Sequence, residues 1–480
     1  MKKVLLSNSY FYRLDPKQWR FRQPYPPLGT ILAGAVLQQS GFDVSLFDTN
    51  LRKGPEEISL PLTQQQPDYL VIYDDGFNYL TKMCLTVMRE AAFMMIREGK
   101  KNNCPVIISS SDSTDHFEMY IDQGADYVIR GEGEATLKEL LLSLESDGDK
   151  GIIPGIAYRN GDEIEVNTVR PVLRDLDSLP PPAWDLIDAE SYRAIWKKKH
   201  GYFSLNIATT RGCPYKCNWC AKPIYGNRYN SRSPEQVVDE IEFLLKKFQP
   251  DHFWMCDDIF GLKPKWIKHF SDLVKERKLT FKYKIQSRVD LLLEENTIQA
   301  LADSGAETVW VGAESGSQKI LDAMDKGTTT DQIYEATRQL KSKGIRAAYF
   351  LQFGYLGETI ADINSTLNMV LEMMPEEIGI SISYPLPGTK FHDLVKNELI
   401  QKQNWTDSDD LAMMYQSTFP AAYYKVLHRY IHSRYRIKRG LNQLKKRKLY
   451  PLRTIASLFY HWPLSVHQKY KLNQLSNAVR

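Results

Sequence analysis

The chain of 480 residues contains few cysteines and no long hydrophobic run. Six cysteines are too few for a disulfide scaffold, and three of them lie within eight residues, which favours metal chemistry in a reducing compartment. No stretch reaches the roughly 18 uncharged apolar residues typical of a membrane-spanning helix. The apolar run at the N-terminus is too short for a signal peptide and is typical of a first β-strand. We therefore expect a cytoplasmic protein of several domains.

Acidic residues are absent after Asp410. The chain has a net charge of +4, yet residues 411–480 contain 14 Lys and Arg and no Asp or Glu. These cations are interleaved with Tyr, Leu, Ile and Trp, which suits a membrane interface, and each contributes about 1 kcal/mol near an anionic surface. We predict peripheral association with the inner face of the membrane. The alternatives are a solvated helical face and an RNA-binding surface, although no RNA-binding module is recognisable and nucleic acid is the less favoured partner.

The residue pattern predicts an α/β protein. Residues 1–150 alternate apolar strands with helices, as in a doubly wound parallel sheet that binds its ligand beyond the strand C-termini. No G-x-G-x-x-G motif occurs there, so a dinucleotide has little support. Residues 151–200 are predicted as a linker that contains a hairpin with an Asn160-Gly161 turn and ends in three prolines.

Residues 201–390 repeat a strand–helix unit six times, which predicts a partial (β/α)6 barrel. Polar and glycine residues fall at the predicted strand C-termini, where such barrels carry their chemistry. Trp310, Tyr355 and Tyr384 are candidate walls of the barrel mouth. Residues 391–480 are predicted to be mainly helical, and they carry the basic segment.

The stretch TTRGCPYKCNWC places Cys213, Cys217 and Cys220 on one loop after the first barrel strand. Thiolates select zinc or an iron–sulfur cluster. A zinc site with His252 or Cys256 as the fourth ligand is one interpretation, although zinc cysteines usually come as two separate pairs. A [4Fe–4S] cluster held by three thiolates would keep one iron open for substrate, and we favour this second interpretation.

The C-x3-C-x2-C spacing, with an aromatic residue before the third cysteine, resembles the radical S-adenosylmethionine (SAM) superfamily. The stretches VWVGAESGSQKILDAMDKGTT, YFLQFGYLGET and YPLPGTKF resemble later parts of the same core. The resemblance implies that Cys213, Cys217 and Cys220 ligate a [4Fe–4S] cluster and that SAM binds its open iron. It also implies a reductant such as flavodoxin or ferredoxin, and cleavage of SAM to methionine and a 5′-deoxyadenosyl radical.

The same resemblance implies roles for five further residues. Trp219 would lie against the adenine of SAM. Asp257 and Asp258 stand where a Gly-Gly-Glu turn usually meets the methionine amino group, although CDDIFG departs from that turn. Arg288 and Glu314 are candidates for the methionine carboxylate and the ribose region, with an ion pair in the barrel mouth as the alternative.

The N-terminal region resembles the cobalamin-binding class of radical SAM enzymes, which includes class B methyltransferases and anaerobic Mg-protoporphyrin monomethyl ester cyclases. The likeness is carried by YPPLGTILAGAVLQQSGFDVSLFD, PDYLVIYD, DYVIRGEGEATLKELL and LPPPAWDLID. It implies cobalamin, bound without a histidine ligand because no D-x-H-x-x-G motif occurs. SSSDSTDH and DDGF replace the small residues expected around the corrin, so a domain that kept the fold without the cofactor is the alternative.

The predicted function is methylation of an unactivated carbon on a lipid-like or secondary-metabolite small molecule by a radical SAM enzyme with cobalamin. A radical oxidative cyclase or rearrangement enzyme is the first alternative. A cobalamin- or redox-sensing iron–sulfur binding protein and an RNA-modifying enzyme are the others.

Overall fold

A computed structural model describes residues 1–83, 85–222, 224–402, 404–445 and 452–477. The strands of the first sheet are β1 Lys3–Ser7, β2 Asp43–Phe47, β3 Tyr69–Tyr73, β4 Val106–Ser109, β5 Tyr127–Ile129, β6 Ile156–Asn160 and β7 Glu163–Val166. Their order is β2-β1-β3-β4-β5-β6-β7, and β1 to β5 are parallel. The strand order changes direction between β1 and β3, and in sheets of this kind ligands usually bind outside the carboxyl ends of the strands at that point.

Helices cover both faces of this sheet and produce two hydrophobic clusters, one on each side. The helices are α1 Pro16–Phe21, α2 Leu28–Gln39, α3 Ser59–Gln65, α4 Tyr79–Lys82, α5 Thr86–Lys101, α6 Ser111–Asp115, α7 Phe117–Asp122 and α8 Glu134–Glu145. Between β4 and β5 the chain forms two short helices, α6 and α7, in place of one longer helix. This arrangement confirms the predicted doubly wound domain.

The hairpin of the linker belongs to the first sheet. β6 pairs antiparallel with β5 and β7 pairs with β6, so the sheet continues past residue 150. The predicted turn is present, and Gly161 adopts a φ of 60° that its lack of a side chain permits. After the prolines, helix α9 (Ala189–His200) leads into the second sheet.

The second sheet has six parallel strands in chain order, open between its first and last strand. The strands are β8 Ser204–Ile207, β11 His252–Met255, β12 Lys282–Ser287, β13 Ala306–Glu314, β14 Arg346–Phe353 and β15 Glu377–Ile382; a separate two-stranded ribbon is β9 Thr210–Arg211 and β10 Asn230–Ser231. The covering helices are α10 Pro234–Phe248, α11 Pro264–Glu276, α12 Val289–Leu292, α13 Thr297–Asp303, α14 Gln318–Ala323, α15 Thr330–Ser342, α16 Ile360–Met373 and α17 Lys390–Val395. The predicted six-unit partial barrel is confirmed.

Local sequence explains how these helices begin and where they pack. In α10, Ser233 caps the N-terminus by accepting from the Gln236 backbone N–H, and Pro234 occupies the first turn. Val237, Ile241 and Leu244 recur at helical spacing and are fully buried against the sheet. The side of the sheet that faces these helices is therefore part of the hydrophobic core.

The chain closes with two long helices, α18 (Ala421–Lys445) and α19 (Leu452–Asn477). Helix α18 is fastened to the barrel because the hydroxyl of Tyr435 donates to the carbonyl oxygens of Pro375 and Glu376, each at 2.7 Å. The helical prediction for this region is confirmed. None of the helices in the described ranges combines the length and apolar character that crossing a bilayer requires.

Candidate active site

The three cysteines lie on the loop between β9 and β10, at the carboxyl edge of the barrel. Antiparallel pairing of Arg211 with Asn230 closes the base of this loop. Gly212 enters it with a φ of 77°, and a Cβ there would lie 2.4 Å from the Arg228 carbonyl oxygen. Only glycine fits this position, so the local sequence sets the direction in which the loop leaves the strand.

Asn218 fastens the cysteine loop to the rest of the barrel. Its Nδ2 donates to the Ala323 carbonyl oxygen at 2.7 Å, and its Oδ1 accepts from the Tyr355 hydroxyl at 2.9 Å. Its backbone carbonyl also accepts from the Phe391 N–H at 2.9 Å. Tyr355 is buried beneath the loop, so the expectation that it lines the mouth is wrong. The sequence offered no signal for Asn218 beyond its place between two cysteines.

Cys213, Cys217 and Cys220 are free, half-buried thiols. Burial raises the pKa of Cys220 to about 12 and also raises the pKa of Cys213, so both are protonated without a metal. Metals bind thiolates, and loading this loop therefore releases protons. Three thiols on one loop are the donor type that an iron–sulfur cluster needs, although the described residues contain no group of three His, Cys, Asp or Glu side chains already arranged around a metal position.

Arg288 and Trp219 both border the thiols. Arg288 is buried at the end of β12 with its Nη1 3.8 Å from Cys217 Sγ, and its guanidinium lies 3.7 Å from the ring centroid of Tyr215. It also pairs with Asp290, Nε to Oδ1 at 2.9 Å. The Nε1 of Trp219 is buried with no partner among the described residues. A buried cation thus lies beside the Cys217 thiol, and the residue before Cys220 carries a buried N–H without a partner among the described residues.

Glu314 ends β13 with a left-handed φ of 56° and forms a buried ion pair with Lys326, Oε1 to Nζ at 2.8 Å. Gly312 makes room for this pair, because a Cβ there would lie 2.6 Å from Nζ and 2.7 Å from Oε1. The ion-pair alternative is therefore present for both Glu314 and Arg288. Their roles toward SAM stay predictions.

Asp257 is fully buried and fastens β11 to β8. Its carboxylate accepts from the Thr209 N–H, the Thr209 hydroxyl and the Thr210 N–H, each at 2.7 Å. Burial raises the pKa of Asp257 to about 6, although these donors act in the opposite direction. A carboxylate with these partners supports the shape of the strand ends, and its predicted contact with SAM is untested.

Asp258 points toward the first domain and pairs with Lys82 of α4. The side chain of Asp258 is 30% exposed, whereas that of Asp257 is inaccessible. Gly76 lies close to the cysteine loop, because a Cβ placed on it would be 3.0 Å from the Tyr225 hydroxyl. The segment after β3 therefore reaches the mouth of the barrel.

The zinc interpretation with His252 as a ligand is wrong, because the length of β11 separates His252 from the three cysteines. His252 begins β11 and lies opposite Ser204, the first residue of β8. Its Nδ1 shares a hydrogen bond with the Ser204 hydroxyl at 2.8 Å. The cysteine loop leaves from the opposite end of these parallel strands. Cys256 is at the correct end, but it is buried with its Sγ 3.3 Å from the Ile207 carbonyl oxygen.

The carboxyl edge of the first sheet faces the cysteine loop and is rich in acidic residues. Asp74 accepts from the Ser9 N–H and hydroxyl, Asp75 accepts from the Gly29 N–H, and Asp112 pairs with Arg89. The hydroxyl of Ser111 is buried without a partner among the described residues. The stretch expected to crowd a corrin forms α6, which begins in a capping box between Ser110 and Ser113.

Aromatic side chains occupy the concave side of the barrel. Trp310 of β13 stacks on Phe350 of β14 with ring centroids 4.6 Å apart, and Phe350 is 37% exposed. Trp254 of β11 lies 4.9 Å from the ring of Tyr25, and Lys284 sits 5.2 Å from both of these rings. This lining suits a largely apolar molecule with a flat or extended surface.

Comparison with known proteins defines the class. Residues 207–370 match the model of the radical SAM superfamily. An uncharacterised methyltransferase of Pyrococcus horikoshii is 30% identical over 283 residues, 58% of this chain and 60% of that protein. The anaerobic magnesium-protoporphyrin IX monomethyl ester cyclase of Synechocystis is 25% identical over 81% of this chain and 76% of its own. The cobalamin-dependent SAM radical enzyme OxsB, solved with aqua-cobalamin and SAM, aligns with a TM-score of 0.73 at 17% identity, over 98% of this chain and 71% of its own.

Residues 207–370 thus form a radical SAM domain, and the predicted likeness to cobalamin-dependent radical SAM enzymes is confirmed at the level of the fold. The structural likeness shows a shared fold over nearly the whole chain. The chain spans 60% of the Pyrococcus relative, so the activity of the whole protein remains to be proposed from its own residues.

Proposed function

We propose that this protein cleaves SAM reductively at a [4Fe–4S] cluster held by Cys213, Cys217 and Cys220. The observation that carries the proposal is three half-buried, free thiols on one loop at the carboxyl edge of a six-stranded barrel. Such a cluster supplies the electron that converts bound SAM to methionine and a 5′-deoxyadenosyl radical. A small reductant such as flavodoxin or ferredoxin would deliver that electron.

Residues around the loop suit the binding of SAM. The indole of Trp219 supplies a flat surface for the adenosine portion, and an N–H that has no partner among the described residues. Arg288 supplies a buried cation for the methionine carboxylate, and Glu314 supplies an acceptor for the ribose hydroxyls. Asp258, which is more accessible than Asp257, is the better partner for the methionine amino group. These assignments rest on position and chemical type.

We further propose that cobalamin binds between the first sheet and the cysteine loop. Two observations favour this place: the carboxyl edge of the sheet faces the barrel mouth through Lys82 and Asp258, and the Ser111 hydroxyl at this edge lacks a partner among the described residues. Most other polar groups here are satisfied within the protein. A corrin would therefore bind through shape and contacts of its amide side chains, with no histidine offered to cobalt.

The reaction that we propose is methylation of an unactivated carbon on a lipid-like or secondary-metabolite substrate. The methyltransferase relative and the aromatic concave side of the barrel support it. A radical cyclase is the second candidate because the cyclase relative covers 81% of this chain. Anionic membrane association through the basic C-terminal region and a cytoplasmic location belong to the same proposal. The five cysteines within the described residues are all free thiols, which supports a reducing compartment.

The test begins with anaerobic reconstitution with iron and sulfide, followed by SAM and dithionite. We expect 5′-deoxyadenosine from the wild type and none from Cys217→Ala, whereas Cys104→Ala, which removes a buried thiol of the first domain, retains the activity. A wild type that binds iron and leaves SAM intact would contradict the proposal and favour a sensing protein.

Cobalamin and reaction type have separate readouts. Binding of hydroxocobalamin is followed by its visible absorbance. Absence of binding would show that the first domain has kept the fold of cobalamin-binding domains but does not bind the cofactor. With a substrate from a cell extract, methylation adds the mass of one methylene, whereas oxidative cyclisation removes hydrogen. The product mass therefore decides between the two reactions.

A further inference from the structure

Helix α19 turns its apolar side outward. Six of its large side chains are between 37% and 84% exposed, and we call them the outer stripe: Leu452, Ile455, Phe459, Trp462, Val466 and Tyr470. Consecutive members are three or four residues apart. Since an α-helix has about 3.6 residues per turn, they form one continuous row along seven-tenths of the helix.

The opposite side of α19, which packs on α18, combines polar residues with leucines such as Leu458, which lies against Gly440. The buried residues of α19 are His461, Ser465, Gln468, Leu472 and Ser476. His461 Nε2 lies 3.3 Å from Arg436 Nη1 of α18, Leu472 joins the hydrophobic core and Leu475 packs against it. A helix on the surface of a protein in water normally keeps its large aromatic and apolar residues on the packed side. The outer stripe therefore requires an apolar phase or partner to cover it.

The charge around the outer stripe identifies what covers it. Arg453, Lys469 and Lys471 are exposed on the flanks of the stripe. No acidic residue occurs after Asp410. Aromatic residues in an apolar row, with cations beside them, are the composition of helices that lie in the headgroup region of a bilayer. A second copy of the chain would cover the same row, but it would bring like charges together with no carboxylate to pair with them.

We propose that the outer stripe docks the protein on an anionic lipid bilayer, with α19 in the plane of the interface and Phe459 and Trp462 among the acyl chains. This inference rests on the membrane association in the proposed function and specifies the segment that makes the contact. It does not depend on the radical chemistry. The apolar side chains of α19 insert into the bilayer, and the cations of α18 and α19 attract the protein to the anionic surface from a distance. A substrate dissolved in the membrane would then reach the enzyme without passing through water.

The test is cosedimentation of the full-length protein with vesicles. Wild type is mixed with vesicles of phosphatidylcholine alone, or of phosphatidylcholine with phosphatidylglycerol, in the absence of SAM and reductant. We expect pelleting with the anionic vesicles and about tenfold weaker binding by the double variant Phe459→Glu, Trp462→Glu. The matched control, Leu60→Glu with Ile152→Glu, adds the same charge at residues of the first domain that are 59% and 77% exposed, and it should pellet as wild type.

Three results would overturn the proposal. They are equal pelleting with both vesicle types, equal pelleting of the double variant and wild type, and a lipid-free dimer in analytical ultracentrifugation that the double variant abolishes. The last would identify a second copy as the partner of the stripe. All substituted residues are exposed, and far-ultraviolet circular dichroism verifies that the variants fold. Because neither SAM nor reductant is present, the outcome is independent of the proposed chemistry.

Discussion

Arg211, the last residue before the cysteine loop, forms a buried ion pair with Glu134 of the first domain, Nη2 to Oε1 at 2.7 Å. The side chains are 3% and 5% exposed, and Glu132 binds the same guanidinium. Two domains that are separate in sequence are therefore joined by a charge cluster beside the first thiol. Phe77 and Tyr225 flank the guanidinium, with ring centroids 5.6 and 5.2 Å away.

Because this ion-pair cluster is buried, we expect the Arg211→Met variant to lose much of its stability. The substitution leaves Glu132 and Glu134 buried without a counter-ion, and we expect the free energy of unfolding to fall by about 3–5 kcal/mol. Urea denaturation followed by fluorescence measures it. Arg277→Met, which breaks surface pairs with Asp239 and Glu242, should cost no more than about 1 kcal/mol. Equal effects of the two substitutions would show that the buried cluster contributes little.

Gly212→Ala should impair the loading of the cysteine loop. A Cβ at this position meets the Arg228 carbonyl oxygen at 2.4 Å and is strained at a φ of 77°, so the loop must shift. We expect a several-fold lower iron content after reconstitution, measured by metal analysis. Gly161→Ala is the control, because this glycine in the hairpin also has a positive φ of 60° but a Cβ there would meet no neighbouring atom within 4 Å. The variant should take up iron as the wild type does.

Asn218→Ala should loosen the cysteine loop without removing a thiol. It deletes the side-chain hydrogen bonds to Ala323 and Tyr355, each of which typically contributes about 1 kcal/mol. We expect faster loss of iron to a chelator, by about tenfold, with far-ultraviolet circular dichroism unchanged. Tyr355→Phe retains the ring and removes one of these bonds, so its rate should fall between wild type and Asn218→Ala. A chelation rate equal to that of wild type would contradict the anchoring role.

Glu358 predicts a pH dependence of stability. Its Oε2 accepts from the Gly354 N–H at 2.7 Å, its Oε1 is buried without a partner among the described residues, and burial raises the pKa of Glu358 to about 8. An unfolded carboxyl has a pKa of 4.5, so between these values the folded state retains a proton that the unfolded state has lost. The stabilisation is complete below pH 4.5 and is lost as the pH rises through about 8.

We expect Glu358→Gln to flatten this dependence and to be the more stable protein above pH 8. Urea unfolding at several pH values between the two pKa values measures the difference. Glu335→Gln, at an exposed site on α15, should follow the wild-type curve. A wild-type curve that Glu358→Gln leaves unaltered would refute the raised pKa.

Local sequence was sufficient for the six barrel strands and the position of the cysteine loop. Apolar residues at strand spacing and the C-x3-C-x2-C motif are short-range signals, and both were predicted where they occur. The segment 109–116 was identified only as a replacement of the small residues expected around a corrin, whereas the structure shows that Ser110 and Ser113 cap a helix there. The S-x-x-S spacing was the available signal.

Partners of buried polar residues could not be predicted in the same way. Asp257 was interpreted as a ligand, and the structure shows its carboxylate held by Thr209 and Thr210, more than 40 positions away in the chain. Asn218 was not selected, although it joins the loop to three other segments. Which donor meets which acceptor depends on how strands and loops approach one another in space.

The sequence by itself determined the alternation of strands and helices, the three thiols on one loop and the basic C-terminal region, because periodicity, motif spacing and charge are written along the chain. The tertiary structure alone decided the ion pair between Arg211 and Glu134 and the outward direction of the apolar row on α19. Those features depend on long-range packing, which decides which side of a helix is covered and which distant charges lose their water together.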